Sequence, residues 1–124
     1  MKGATYDTGM LIAIDRRKQR AVAVHEWLRE ERIPVNVPWV VVAEFWRGRT
    51  DRRDAILRSV DIEAPSLALA KNAGSAVGAV RGATIVDAIV MASAALRGDV
   101  VYTGDVDDLS LLQRHFPGVR LLAV

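Results

Sequence analysis

Short apolar runs alternate with stretches of helical periodicity along the whole chain, and this alternation limits the fold more than any other feature of the sequence. Residues 2–6 read as a short buried strand, 33–37 as a second, 62–65 as extended, 99–103 as another strand and 119–124 as a last one. Helices are expected over 8–14, about 16–32, 39–47, 51–60, 67–80, 84–98, and from Asp105 or Val106 to His115. In the second of these, Ala21, Val24, Trp27 and Leu28 recur at helical spacing with charges on the other face. Pro38 suits a first helical position, Gly48 a stop and Ser66 an N-cap. Strands separated by helices need crossover connections, which predicts an α/β architecture with a short, mostly parallel sheet covered on both faces.

A chain of 124 residues, 51% of them apolar, can bury a core and is expected to form one domain, residues 1–124. The first seven residues have no apolar leader pattern. The longest apolar run, 85–96, is interrupted by Asp87 and is too short for a bilayer. The sequence has no cysteine, which removes disulfides, thiolate metal sites and a cysteine nucleophile. A cytoplasmic protein without a membrane role is the expectation.

Four acids sit among apolar residues. Asp7 follows Ala4-Thr5-Tyr6, Glu44 splits Trp39–Ala43 from Phe45-Trp46, Asp87 splits Ile85-Val86 from Ala88–Ala92, and Asp105 follows Val100–Gly104. A carboxylate in apolar surroundings is destabilised unless it is paired, protonated or metal-bound. Sites in open parallel sheets form beyond the carboxyl ends of strands. Asp7 and Asp105 both follow strands, so they meet if those strands are neighbours. Glu44 lies deeper in its helix, and the sequence does not place it at the same rim.

Each acid also has a purely structural reading. Asp7 can cap the helix from Thr8, Thr84-x-x-Asp87 and Asp105-x-x-Asp108 can be capping pairs, and Glu44 can pair with Arg47. Capping does not account for Glu44. A pocket of carboxylates without cysteine or paired histidine selects Mg²⁺ or Mn²⁺, a centre that can activate water and hold a phosphodiester. Thr8 and Thr103 beside the acids can hold a metal-bound water or bond the backbone. Setting aside Asp7, Glu44, Asp87, Asp105 and Asp108 leaves ten acidic against 17 basic side chains. The basic ones cluster at Arg16, Arg17, Lys18 and Arg20, and at Arg47, Arg49, Arg52 and Arg53. Such margins suit a polyanion, or are simply solvated helix faces.

The segments Tyr6-Asp7-Thr8-Gly9-Met10-Leu11-Ile12, Ala43-Glu44-Phe45-Trp46-Arg47-Gly48, Ile85-Val86-Asp87-Ala88 and Val101–Leu109 resemble, in order and setting, the PIN-domain nucleases. The resemblance extends over essentially the whole chain and is nearest to the VapC-type ribonuclease toxins of bacterial toxin–antitoxin pairs. It implies a three-layer α/β/α PIN-like fold and a Mg²⁺- or Mn²⁺-dependent endoribonuclease that attacks with water and leaves a 5′-phosphate. Asp7, Glu44, Asp87 and Asp105 would be the catalytic, metal-binding set. Asp108 would be an auxiliary acid, with Thr103 and Thr8 in support, and Arg16, Arg17, Lys18, Arg47 and Arg49 would contact RNA. A homodimer and a cognate antitoxin protein are implied as partners. One departure is Gly104, where the family more often has serine.

Two rival functions remain at this level. A non-catalytic PIN-like module would bind RNA or protein, although a pure RNA binder gains nothing from acids that repel phosphate. A phosphatase or receiver-like protein would need a lysine near a nucleophilic aspartate, and none of Lys2, Lys18 and Lys71 follows a strand near the acids. His25 and His115 lack metal-ligand spacing and are expected at the surface or in caps. Trp27, Trp39 and Trp46 are expected in core packing or an interface rather than in base stacking. Gly74-x-x-x-Gly78 is expected to permit close helix contact.

Overall fold

The computed structural model describes residues 2–48 and 50–124. Five strands, β1 (Ala4–Tyr6), β2 (Val35–Pro38), β3 (Asp61–Glu63), β4 (Val100–Thr103) and β5 (Arg120–Ala123), form one sheet in the order β3-β2-β1-β4-β5. Every pairing is parallel. The helices α1 (Thr8–Asp15), α2 (Gln19–Glu30), α3 (Trp39–Phe45), α4 (Asp51–Arg58), α5 (Leu67–Ala79), α6 (Ile85–Arg97) and α7 (Val106–Ser110) cover both faces, and a 3-10 turn (Leu111–Arg114) follows α7. The expected three-layer α/β/α architecture is therefore present. The strand order runs outward from β1 through β2 to β3, then returns across β1 to β4 and β5. That reversal creates a switch point between β1 and β4, where the loops leaving the two strands part and open a crevice.

Local signals set the helix limits. Asp7, Thr50, Ser66, Thr84 and Asp105 each accept, through the side chain, the backbone N–H three residues on. Each such cap contributes about 1 kcal/mol. The expected helix over 16–32 begins only at Gln19, because Arg17 takes φ +57°. There Lys18 N–H bonds back to Ala13 C=O and Arg17 N–H to Ile14 C=O, which closes α1. Arg32, at φ +56°, closes α2 in the same way. Pro38 ends β2 rather than opening α3, and α3 stops at Phe45, before Gly48.

Helix α6 lies deepest, with Ala88 to Ala94 all buried. Tyr6, Met10, Leu11, Leu28, Val37, Val41, Phe45, Leu69, Met91, Leu109 and Leu112 are also fully buried. Burial of a side chain of that size contributes roughly 1.5–3 kcal/mol. Helix α5 packs on α6 through Leu69, Ala73 and Ala76. Gly74 and Gly78 point to open space with nothing within 4 Å, so the expected close contact is made by alanines and not by glycines.

One expectation about side chains fails. His25 is buried: Nδ1 lies 2.7 Å from Tyr6 Oη and Nε2 lies 3.0 Å from Ser59 Oγ. Trp27, on the same helix, is 49% exposed, which leaves the interface alternative and not the core. The helical period is right, but α2 turns its Ala21-His25-Leu28 stripe inward. Among the described residues, no helix is long and apolar enough to cross a membrane.

Candidate metal centre

Asp7, Glu44, Asp87 and Asp105 line one cavity of about 380 Å³. Thr8, Gly9, Ile12, Val86, Val90 and Gly104 complete its wall. The cavity opens at the β1/β4 switch point. Asp7 directly follows β1, Asp105 comes two residues after β4, and those strands pair with Tyr6 opposite Tyr102. The expectation that the two strands are neighbours is met. Asp87 enters from the first turn of α6 and Glu44 from the last turn of α3.

Asp7 is the most constrained of the four, at 6% exposed. Its Oδ1 accepts the N–H of Met10 at 2.8 Å and of Gly104 at 3.4 Å. Its Oδ2 accepts the hydroxyl of Thr103. Thr103 Oγ1 also accepts the N–H of Asp105 at 2.7 Å, so one buried hydroxyl ties the two aspartates together. Thr103 thus bonds both the Asp7 carboxylate and the backbone of Asp105. Thr8 donates to Glu44 Oε1 at 2.6 Å and so draws the glutamate to the rim. Glu44 does not pair with Arg47, whose guanidinium bonds Ala43 C=O and Trp46 C=O at the end of α3.

The idea that all four acids sit in apolar surroundings needs correction. Asp7 is buried and Asp87 half-buried, whereas Glu44 and Asp105 are exposed. Their apolar sequence neighbours face the core while the carboxylates face the cavity. Burial pushes the Asp7 carboxyl above the ordinary range, against the pull of Thr103 and two backbone N–H groups, and Asp87 adds to the rise. Asp87 is raised by burial first, then by the charges of Glu44 and Asp105, while its bond with Thr84 opposes the shift.

Asp108 stands outside the cavity lining. Its own N–H caps onto Asp105 Oδ1 at 3.5 Å, and a hydrogen bond with the Asp105 carboxylate raises its carboxyl. The capping readings of Asp7, Thr84 and Asp105 thus hold together with their place at the cavity. The cap spends Oδ1 of Asp105 on the backbone, whereas both oxygens of Asp7 already accept hydrogen bonds.

The basic residues do not gather with the acids. Arg16, Arg17 and Lys18 lie at the far end of α1 from Thr8, roughly 12 Å along its axis. Lys18 Nζ is bonded to Val124 C=O at 2.8 Å. Arg52 and Arg53 reach Asp15, and Arg53 also lies over the Phe45 ring. Arg49 lies outside the described residues. Gly9, Ile12, Val86 and Val90 are wall residues that the sequence reading passed over. The spacing of Thr8 to Ile12 and of Val86 to Val90, four apart beside an acid, was the available signal.

The acids suit a hard divalent cation in part. Among the described residues, no three His, Asp or Glu side chains close into a ready-made cage. Mg²⁺, however, is commonly held by one or two carboxylates and several waters. The donor set is all oxygen, and none of the four acids has an ion-pair partner among the described residues. The mutual repulsion that raises Asp87 is the load a cation would relieve.

No protein-family model and no curated protein matches the sequence. Solved structures do match. VapBC2 from Rickettsia felis bound to a promoter DNA fragment aligns with a TM-score of 0.77 at 13% identity, covering 98% of each chain. DNA-bound VapBC from Salmonella typhimurium aligns at 0.76 and 15% identity, covering 99% of this chain and 98% of that one. A toxin–antitoxin complex from Klebsiella pneumoniae aligns at 0.70 and 19% identity, covering 94% and 95%. Likeness of this extent at such low identity is a likeness of fold, and the chain has the three-layer α/β/α PIN-like fold of these toxin–antitoxin structures.

Proposed function

We propose that this protein is a Mg²⁺- or Mn²⁺-dependent endoribonuclease, the toxin of a toxin–antitoxin pair acting in the cytoplasm. The observation that carries this reading is the convergence of Asp7, Glu44, Asp87 and Asp105 on one cavity at the β1/β4 switch point. Those residues come from four separate segments, and helix capping, which accounts for the places of Asp7 and Asp105, does not account for Glu44 at the same cavity.

Each residue has a distinct task in this reading. Asp7 is a rigid ligand, held by Met10, Gly104 and Thr103. Asp105 is set at a fixed spacing from it through the shared Thr103 hydroxyl. Asp87 and Glu44 close the opposite side, with Glu44 oriented by Thr8. Asp108 stands next to Asp105 as an auxiliary acid that positions water. A divalent ion held by Asp7, Glu44, Asp87 and Asp105 would supply Lewis-acid stabilisation and lower the pKa of a water. Water adds to phosphorus, the P–O3′ bond breaks, and the products carry a 5′-phosphate and a 3′-hydroxyl.

A cognate antitoxin and a second copy of the chain belong to this reading as partners, the antitoxin because the similar structures are toxin–antitoxin complexes. The alternative is a non-catalytic RNA- or protein-binding module, favoured by the lack of a closed ligand cage among the described residues. Cleavage of structured RNAs with Mg²⁺, Mn²⁺ or EDTA, beside Asp7→Ala and Asp105→Ala, separates the two. Cuts that require metal and vanish in both variants support the nuclease. RNA affinity that is independent of metal, with no cleavage, supports the module.

A further inference from the structure

A cavity of the opposite charge adjoins the same two helices. Arg81, Arg114 and His115 supply the polar groups of a depression of about 470 Å³, and Ala79, Val80 and Leu111 supply its apolar part. The two arginines are 33 positions apart in sequence and belong to no basic run. Arg81 lies in the turn between α5 and α6, and Arg114 at the end of the 3-10 turn after α7. Leu111 is 45% exposed, an apolar side chain with no cover. His115 stands on edge against the Phe116 ring at 4.9 Å. Among the described residues, neither arginine ion-pairs with a carboxylate.

The two cavities share their framework. The acidic one takes Val86 and Asp87 from the start of α6 and Asp105 from the N-cap of α7. The basic one takes the segment just before α6 and the segment just after α7. Helices α6 and α7 pack on each other and α6 touches the 3-10 turn, so both depressions are built on one packed group of elements. Asp105 and Arg114 stand nine positions apart at the two ends of α7 and its 3-10 turn, at most roughly 16 Å of helical rise. That distance corresponds to a few nucleotides of extended strand.

We propose that the Arg81–Arg114–His115 cavity is a binding subsite for single-stranded RNA, gripping a phosphate and an unstacked base a few nucleotides from the acidic centre. This rests on the nuclease reading. Guanidinium groups recognise phosphate by paired hydrogen bonds, and single strands are bound by combining backbone cations with flat surfaces for bases. Leu111, Val80 and the His115 ring provide that surface. Charge complementarity favours this occupant, because an acidic centre repels phosphate and needs cations nearby. The sequence-clustered cations Lys18, Arg47, Arg52 and Arg53 are instead engaged within the fold.

The test is the affinity of the full chain for a labelled mixed-sequence single-stranded oligoribonucleotide in EDTA, which keeps the strand intact. Arg81→Gln/Arg114→Gln is compared with Arg29→Gln/Arg32→Gln, exposed at the C-terminal end of α2, which removes the same charge elsewhere. The first pair should weaken binding by about tenfold and reduce the slope of log affinity against log salt by about 1.4, two phosphates at ~0.7 each. The control pair should do much less. With Mg²⁺, the first pair should raise KM for RNA and leave kcat nearly unchanged. Equal loss in both pairs, no measurable RNA affinity in the wild type, or unchanged affinity in Arg81→Gln/Arg114→Gln overturns the subsite. In the last case the cavity would suit an acidic peptide. The nuclease reading is judged separately, by metal-dependent cleavage in the wild type, so either idea can fail while the other stands.

Discussion

Gly9 and Gly104 meet backbone to backbone where the chain leaves β1 and β4. A methyl group added at Gly104 would lie 3.1 Å from the Cα and carbonyl carbon of Gly9, and one added at Gly9 would lie 3.0 Å from the Cα and N of Gly104. The obstacle is backbone on both sides and cannot swing away. The missing side chain at Gly104 lets the loops that bear Asp7 and Asp105 close on each other.

Gly104→Ala should therefore separate the two loops by a few tenths of an ångström and shift Asp105 away from Asp7. Overpacking of this kind costs about 1 kcal/mol or somewhat more. Chemical unfolding should register that loss. Mg²⁺ affinity, followed by calorimetry, should fall by a larger factor than stability alone explains. A variant with unchanged stability and metal affinity would show that the loops can move apart freely.

Thr103→Val tests the shared hydroxyl. It keeps the side-chain shape but removes the donor to Asp7 Oδ2 and the acceptor of Asp105 N–H. A hydrogen bond to a charged group contributes about 1.5–3 kcal/mol, and a loss of that size is expected at neutral pH. The Asp7 carboxyl, already raised by burial, should rise further. The acid limb of the pH–activity profile should then move to higher pH, a shift that simple destabilisation would not produce.

Asp87→Asn addresses the charge crowding. The folded-state pKa of Asp87 is raised above its ordinary value, so the folded protein binds the extra proton more tightly than the unfolded chain does. Its contribution to stability is present below the unfolded pKa and is lost as pH rises through the folded one. The metal-free wild type should thus lose stability across the weakly acidic range as pH rises, and Asp7 has the same sign. At neutral pH and in EDTA, Asp87→Asn should melt a few degrees above the wild type. Mg²⁺ at about a hundred times its Kd should stabilise the wild type by ~2.7 kcal/mol, an effect that Asp87→Asn should largely lose. A lower melting temperature for Asp87→Asn in EDTA would contradict the crowding argument.

His25→Ala separates the core from the site. His25 joins Tyr6 and Ser59 in a buried chain of hydrogen bonds. Burial, followed by the charge of Arg29, lowers its pKa, so the unfolded chain binds this proton more tightly. Its contribution to stability is lost as pH falls through the ordinary histidine range toward the lower folded value, the opposite sign to Asp87. Removal leaves the Tyr6 hydroxyl without its partner and should cost roughly 1–3 kcal/mol at neutral pH, with a smaller cost in acid. Metal affinity of the folded fraction should be unchanged.

Much of the fold was legible because its signals are local. Caps act over three residues, helical faces repeat at three and four, and buried strands read as short apolar runs; Ser66, Thr84 and Asp105 each mark a helix start in the sequence and in the structure. The expectation for α2 failed at its start, where the backbone angle at Arg17 closes α1 and holds α2 back to Gln19. The surface expectation for His25 failed because its polar side chain found Tyr6 and Ser59 inside.

The sequence by itself determined the alternation of strands and helices, the junctions at which Asp7 and Asp105 stand, and the carboxylate chemistry of the four acids. Only the tertiary structure decided that they share a cavity, because Asp7 meets Thr103 across 96 positions of chain through the pairing of β1 with β4. That pairing depends on α5 and α6 carrying the chain back across the sheet, a consequence of summed packing that no short segment encodes. The same packing engaged Lys18, Arg52 and Arg53 and brought Arg81 to one cavity with Arg114, because side-chain partners are chosen by proximity in space.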